Sequence, residues 1–148
     1  MGSILIERSV HEEGHAEALR HKWNVSAERG CDVGDVAVDE WYDRYWTIYS
    51  RHRRLEHLRG THKWIEFGED DFGLIEQLLD SNDLLLELIL DRAESGWELL
   101  HFINWALDWN LPMDRVINIL ARLDLNRGRL EPRYPTRYAC HASKDRQA

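Results

Sequence analysis

Two pairs of a glutamate and a histidine have the spacing of metal ligands. Each pair has the form E-x-x-H, with Glu12 before His15 and Glu98 before His101. On a helix such residues share one face, and di-metal bundles use two such pairs with carboxylates from other helices. The sequence therefore allows a metal-binding bundle with redox or hydrolytic activity that holds Fe, Mn or Zn. The order of elements argues against it, since the first pair lies on the first predicted helix.

The first pair overlaps a second motif, because residues 11–15 read HEEGH and fit H-E-x-x-H. In zinc proteases the two histidines bind the metal and the glutamate acts as the base. Here the motif contains Gly14, and His11 points away from the apolar stripe of its predicted helix. We interpret the segment as a polar first turn. With no Ser/His/Asp or Cys/His arrangement of interpretable spacing elsewhere, we expect a protein without catalytic residues and without a cofactor.

The helix predicted at residues 95–109 carries the strongest candidate for a binding surface. One side is aliphatic, with Leu99, Leu100, Ile103, Ala106 and Leu107. The other side carries Trp97, Glu98, His101, Trp105, Asp108 and Trp109. Indoles beside carboxylates suit a surface that meets a protein partner, and they also receive an arginine by stacking and pairing. The alternative is that another helix of the same domain covers the indoles and leaves only the acids in water.

Composition supports the interaction hypothesis. Seven tryptophans in 148 residues are more than a single compact interior of this size requires, so some are expected to be contacts directed outward. The chain length fits one domain. Its two cysteines, Cys31 and Cys140, form no C-x-x-C and no disulfide framework, which is typical of a reduced cytoplasmic protein. No run approaches the length of a membrane-spanning helix, and we expect no membrane partner.

The charge of the chain is divided unevenly. Residues 126–148 carry a net charge of +4, whereas the preceding 125 residues carry −12. We therefore expect a helical domain at 1–125 and an irregular basic tail at 126–148. In the tail, Arg133 and Tyr134, then Arg137 and Tyr138, have the composition that stacks on single-stranded nucleic acid. The same residues are equally suited to lie on the acidic body of their own domain or of another subunit.

Helical periodicity and helix-stop signals run through most of the chain. The segments predicted as helices are 8–29, 35–59, the DDFGLIEQLL stretch, one ending near Ala93, 95–109, and one from Pro112 to about Leu125. The sequence thus predicts an all-α fold, a compact single-domain bundle of five or six helices. In the helix at 35–59, Trp41, Trp46 and Leu55 fall on the apolar half. Ser50, Arg51 and Arg54 fall on the polar half.

The tripeptide His-Lys-Trp occurs twice, at residues 21–23 and 62–64. Little else aligns at that offset, so we reject an internal repeat. The first copy belongs to a longer pattern of His21, Lys22, Trp23, Ser26, Gly30, Asp32, Gly34 and Trp41. This pattern resembles H-[KR]-W-x-x-S-E-x-x-G-x-D-x-G in small bacterial proteins that have no assigned activity, although Ala27 stands where Glu is usual. The resemblance implies a bacterial, intracellular protein and carries no function.

Our leading interpretation is a non-enzymatic helical interaction protein: an adaptor, a regulator or a small subunit of a bacterial complex. It would bind another protein, or a second copy of itself, through the aromatic and acidic face. The metal-binding bundle and a nucleic-acid-binding regulator acting through the tail are the two alternatives.

Overall fold

The computed structural model describes residues 7–79 and 84–132, and the chain is largely helical in these ranges. The helices are α1 (Val10–Arg29), α2 (Val36–Arg59), α3 (Leu74–Leu79), α4 (Leu84–Glu94), α5 (Leu99–Asp108) and α6 (Met113–Leu123). Short 3-10 turns lie at Ile65–Phe67 and Leu125–Gly128. The prediction of an all-α bundle of five or six helices is confirmed. Within the described ranges, no helix is long and apolar enough to cross a membrane.

Local signals set the ends of the two long helices. Ser9 caps α1, since its hydroxyl accepts a hydrogen bond from the Glu12 amide at 3.3 Å. Gly30 and Gly60 follow α1 and α2 in the left-handed conformation, at φ 71° and 79°. A side chain would be strained there, which is why glycine so often ends a helix. Both ends were predicted from these glycines.

Helices α1 and α2 pack around an aromatic cluster. Its buried members are Val10, Ala18, Val38, Trp41, Tyr42, Trp46, Trp64 and Phe67. The Trp46 indole N–H donates to the Leu130 carbonyl at 2.6 Å, and the His11 ring stacks on the indole with 5.5 Å between centroids. A β-carbon at Gly14 would lie 2.6 Å from the Trp46 ring. Glycine is therefore what allows α1 to approach this closely.

An aliphatic cluster fills the other half of the domain. It joins the C-terminal part of α2 to the later helices, and its buried members are Leu55, Leu58, Ile75, Leu85, Leu86, Ile89, Leu90, Ala93, Phe102, Trp105, Ala106, Val116, Leu120 and Leu123. Burying one leucine or isoleucine side chain contributes about 1.5–3 kcal/mol. Helix α2 contributes to both clusters and is therefore the spine of the domain.

A band of polar side chains on α2 separates the two clusters. Ser50, Arg51, Arg54 and His57 are all buried, although the first three fall on the polar half of the helix. The Ser50 hydroxyl donates to the Gly128 carbonyl. A β-carbon at Gly128 would lie 2.7 Å from that of Arg54, so glycine is required where this turn crosses α2. The polar face of α2 is buried because later segments of the chain dock their backbone on it.

Arg54 is fully enclosed and caps the C-terminal end of α6. Its guanidinium donates to the Leu123 carbonyl at 2.8 Å and the Asp124 carbonyl at 3.2 Å. It also pairs with the Asp71 carboxylate at 2.9 Å. Burial lowers the pKa of Arg54, and the hydrogen bond to Asp71 opposes this shift. The Leu123 carbonyl at the end of α6 thereby gains a partner, and the Asp124 carbonyl also accepts the Arg127 amide at 3.1 Å.

The connection between α2 and α3 is fixed at both ends. His57 lies under it, and its Nδ1 accepts the Trp64 amide at 3.0 Å. Burial, followed by the charge of Arg54, lowers the pKa of His57. The segment predicted as extended forms only a single parallel bridge, between Trp64 and Arg8. The two His-Lys-Trp copies differ in role, since Trp64 is 1% exposed and Trp23 is 65% exposed.

Glu66, in the 3-10 turn at Ile65–Phe67, holds the first turn of α1. Its carboxylate accepts the Ser9 hydroxyl at 2.6 Å and the Val10 amide at 2.8 Å. Burial alone would raise the pKa of Glu66, but these hydrogen bonds outweigh it and hold the pKa below its usual value. The negative charge also lies at the helix N-terminus, where the macrodipole favours it.

Candidate functional site

The site is built where the turn after α4 leads into α5. The Arg51 guanidinium donates to the Gly96 carbonyl at 3.0 Å and to the Trp97 carbonyl at 2.6 Å, which fixes the turn on α2. Glu98 then begins the helix, and its amide donates to His101 Nδ1 at 2.9 Å. Helix α5 thus begins three residues after the predicted start at residue 95, with a capping box of Glu98 and His101 in which the imidazole is the acceptor.

Helix α5 is rotated relative to the sequence-based expectation. Phe102, Trp105 and Ala106 are buried. By contrast, Leu99, Leu100 and Leu107 are 50%, 66% and 65% exposed, so the leucines of the aliphatic side lie in water. Both sides of the helix are apolar, and aromatic rings bury more area than leucine side chains. The aromatic side therefore faces the core and leaves an aliphatic side in water.

The indoles of the predicted partner-binding set receive an arginine from their own chain. The Arg92 guanidinium carbon, on α4, lies 4.3 Å from the ring centroid of Trp105, 5.3 Å from Trp97 and 5.7 Å from Trp109. Such contacts contribute about 0.5–2 kcal/mol. The arginine that these indoles receive is therefore internal to the domain. The sequence-based alternative was that a neighbouring helix of the same domain covers the indoles.

The predicted aromatic and acidic face is consequently not one open surface. Trp105 is 5% exposed and Trp97 is half-buried, whereas Trp109 is 62% exposed. His101 and Asp108 are exposed. The Glu98 carboxylate pairs with Arg51 at 2.9 Å and Arg129 at 3.1 Å.

A groove of about 270 Å³ separates α5 from α6. Leu99 and Phe102 form one wall, and Ile117, Leu120 and Ala121 form the other. Arg51 and Glu98 close one end, where their ion pair already satisfies both charges. The groove is therefore an apolar cleft with a polar end, the general form of a site for aliphatic groups.

The aliphatic side of α5 continues across this groove onto α6. We call this surface the outer face, and it consists of Leu99, Leu100, Ile103, Leu107, Ile117 and Ala121. Ile117 is 49% exposed, Ala121 is exposed and Ile103 is half-buried. Side chains at i, i+3 and i+7 on α5 form one ridge. The outer face was missed because the binding surface was predicted on the aromatic side of α5. The sequence signal for the outer face was the recurrence of leucine and isoleucine at helical spacing on both helices.

The metal hypothesis is not supported by the geometry. No three His, Cys, Asp or Glu side chains in the described ranges lie together so as to hold a metal ion. Glu12 and His15 lie on α1, whereas Glu98 and His101 begin α5. These four described residues do not come together as such a group. The HEEGH segment instead packs on α2, through the stacking of His11 on Trp46 and the close approach at Gly14.

Only the first residues of the predicted tail lie within the described ranges. Arg133, Tyr134, Arg137 and Tyr138 lie outside the described residues. Residues 126–130, predicted as the start of the tail, instead belong to the domain. The turn at Gly128 docks on α2, and the Leu130 amide donates to the Ser50 hydroxyl at 3.4 Å. The boundary of the packed domain thus lies after residue 130.

Neither a protein-family model, nor a curated protein, nor a solved structure matches this chain.

Proposed function

We propose that this protein is a non-enzymatic interaction protein whose outer face binds an amphipathic helix of a partner. It would serve as an adaptor, a regulator or a small subunit of a bacterial complex. The function class is the one expected from the sequence, but the working surface changes from the aromatic side of α5 to its aliphatic side.

The exposed leucines carry this proposal. Leu100 and Leu107 lie two turns apart on the same ridge of α5 and are each about two-thirds exposed, at 66% and 65%. Isolated apolar residues on a surface are ordinary, whereas a contiguous apolar patch marks an interaction site. Here the patch extends over two helices and a cleft. Its aliphatic character and its lack of a catalytic set favour binding over chemistry.

The shape of the outer face supports a helical partner. Helices α5 and α6 are joined by residues 109–112 and run antiparallel, with Leu99 opposite Ala121 across the groove. Two parallel ridges with a cleft between them accept a third helix whose aliphatic residues follow the i, i+3, i+4, i+7 pattern. The side chains of that helix would fill the cleft beside Ile117.

Site-specific photo-crosslinking in the source cell tests the proposal. A photo-reactive residue replaces Leu107 on the outer face or, as a matched control, Ile48, which is 57% exposed on α2. We expect a crosslinked product from position 107 only, and the crosslinked peptide should carry aliphatic residues at helical spacing. Adding Leu100→Asn should abolish the product. Equal crosslinking from both positions, or none from position 107, would contradict the proposal.

A further inference from the structure

We infer that the helix bound by the outer face belongs to a second copy of this chain, so that two α5–α6 hairpins form a symmetric four-helix interface. This inference rests on the proposed function and names the partner. Two-fold dimers bury the same patch on both subunits, so the patch must be complementary to itself. The outer face meets this condition in its apolar groups and in its charges.

The apolar groups supply a ridge and a cleft on the same surface. Leu100, Ile103 and Leu107 form the ridge on α5, and the groove beside Ile117 forms the cleft. When two copies face each other in antiparallel orientation, each ridge enters the cleft of the other copy, as in four-helix bundles. No charged side chain belongs to the outer face itself, as in the centres of homodimer interfaces.

Exposed charges of opposite sign lie at the two ends of the outer face, beside Arg115 at the connected end and Asp124 at the other. Asp108 and Asp114 lie at the connected end of the hairpin, and Arg122 lies in the last turn of α6. All three are exposed, and none forms an ion pair with another residue in the described ranges. Asp114 and Arg122 are eight residues apart, which is about 12 Å along a helix.

An antiparallel second copy brings these charges together. Arg122 of each subunit comes over the acidic end of the other, so two equivalent sets of ion pairs form. Asp108 gains most, because an acid at the C-terminal end of α5 opposes the helix macrodipole and finds no compensating ion pair within residues 7–79 and 84–132. The arginine of a second copy would supply it. Opposite charges at opposite ends also disfavour a parallel arrangement.

Sedimentation equilibrium of the full chain over a wide concentration range tests the inference. We expect the wild type to form dimers, and Leu107→Asn to raise the dimer dissociation constant by about tenfold or more. Ile48→Asn is the matched control and should leave the constant unchanged. Circular dichroism verifies that each variant is folded, which is expected since both side chains are exposed.

Charge exchange gives a second test that does not depend on the apolar contacts. Arg122→Asp alone, and Asp108→Arg with Asp114→Arg, each place like charges opposite one another and should weaken the homodimer. Mixing these two variants restores attraction at both ends, so the heterodimer should be at least about threefold tighter than either homodimer. A mixture that associates no better than its components would overturn the antiparallel arrangement.

The remaining outcomes separate this inference from the proposed function. A wild type that stays monomeric at every concentration overturns the dimer. So does a dimer that Leu107→Asn does not weaken. In either case the proposed function stands if position 107 crosslinks to a helix of a different protein, and it fails if that position gives no product. A crosslink between two copies at position 107 supports both.

Discussion

The aromatic and aliphatic halves of the domain use α2 in different ways. In the aromatic half, bulky rings fit closely against a glycine and a backbone carbonyl, and the cluster is closed by α1. In the aliphatic half, smaller side chains pack between short helices, and the outer face of α5 and α6 stays in water. Close fit gives a single well-ordered arrangement, whereas the open aliphatic ridge leaves apolar surface available for a partner.

The largest effect is expected where the two halves meet, at Arg54. Arg54→Met removes the donors to the Leu123 and Asp124 carbonyls and one partner of Asp71, so we expect a loss of about 3–5 kcal/mol in the free energy of unfolding. Urea denaturation measures it. Arg59→Met is the control, because Arg59 is exposed and pairs only on the surface with Glu94, and it should cost less than about 1 kcal/mol. Equal losses for both variants would mean that the polar band does not join the two halves.

A smaller effect is expected from the close fit of the aromatic half. Gly14→Ala gains about 1 kcal/mol of helix propensity. It also places a β-carbon 2.6 Å from the Trp46 ring, and such overpacking costs about 1–3 kcal/mol. We expect net destabilisation in thermal unfolding. Combining Gly14→Ala with Trp46→Phe, which replaces the indole by a smaller ring, should reduce the loss of stability. If the Gly14→Ala variant is instead more stable than the wild type, α1 is not closely fitted to the Trp46 ring.

The polar band should also make stability depend on pH. The pKa of His57 is lowered from 6.5 in the folded protein, so the unfolded chain binds more protons below that value. The contribution of His57 is therefore fully present above pH 6.5 and is lost as the pH falls through the lower folded pKa. His57→Asn should flatten the fall in urea midpoint just below pH 6.5. The exposed His52→Asn should not, and identical slopes in all three proteins would contradict this assignment.

The smallest effect on stability is expected in the outer face itself. Leu100→Ser and Leu107→Ser change side chains that are mostly in water, so monomer stability at high dilution should change by less than about 0.5 kcal/mol. The same substitutions in a core would cost several times more. A loss above about 2 kcal/mol in urea denaturation would place these leucines inside.

Much of the fold could be predicted from local signals, but the orientation of its helices could not. Gly30 and Gly60 announce the ends of the long helices because a left-handed residue is a local requirement. The burial of Arg54 depends on carbonyls about seventy residues later in the chain, which no local pattern contains. Helix α5 is the clearest failure. Periodicity shows which of its residues share a side, but with leucines on one side and indoles on the other, it does not show which side is buried.

The tryptophans explain why the expected binding surface changed. The excess of indoles led to the expectation of aromatic contacts directed outward, yet Trp41, Trp46, Trp64 and Trp105 are buried. Three indoles surround Arg92, so a cation from α4 makes this aromatic surface part of the interior. Trp23 and Trp109 alone among the described tryptophans are largely exposed. Composition indicated the amount of aromatic surface but not the internal arginine that covers it.

Thiol labelling along α5 tests the central claim most directly. In a background with Cys31→Ser and Cys140→Ser, a single cysteine is introduced as Leu107→Cys or as Ala106→Cys, one residue earlier. At high dilution we expect fast labelling at position 107 and slow labelling at position 106, because the native side chains are 65% and 1% exposed. Labelling at position 107 should slow as the protein concentration rises. Slow labelling at position 107 at every dilution would show that the aliphatic side of α5 is the buried one, and the account would fail.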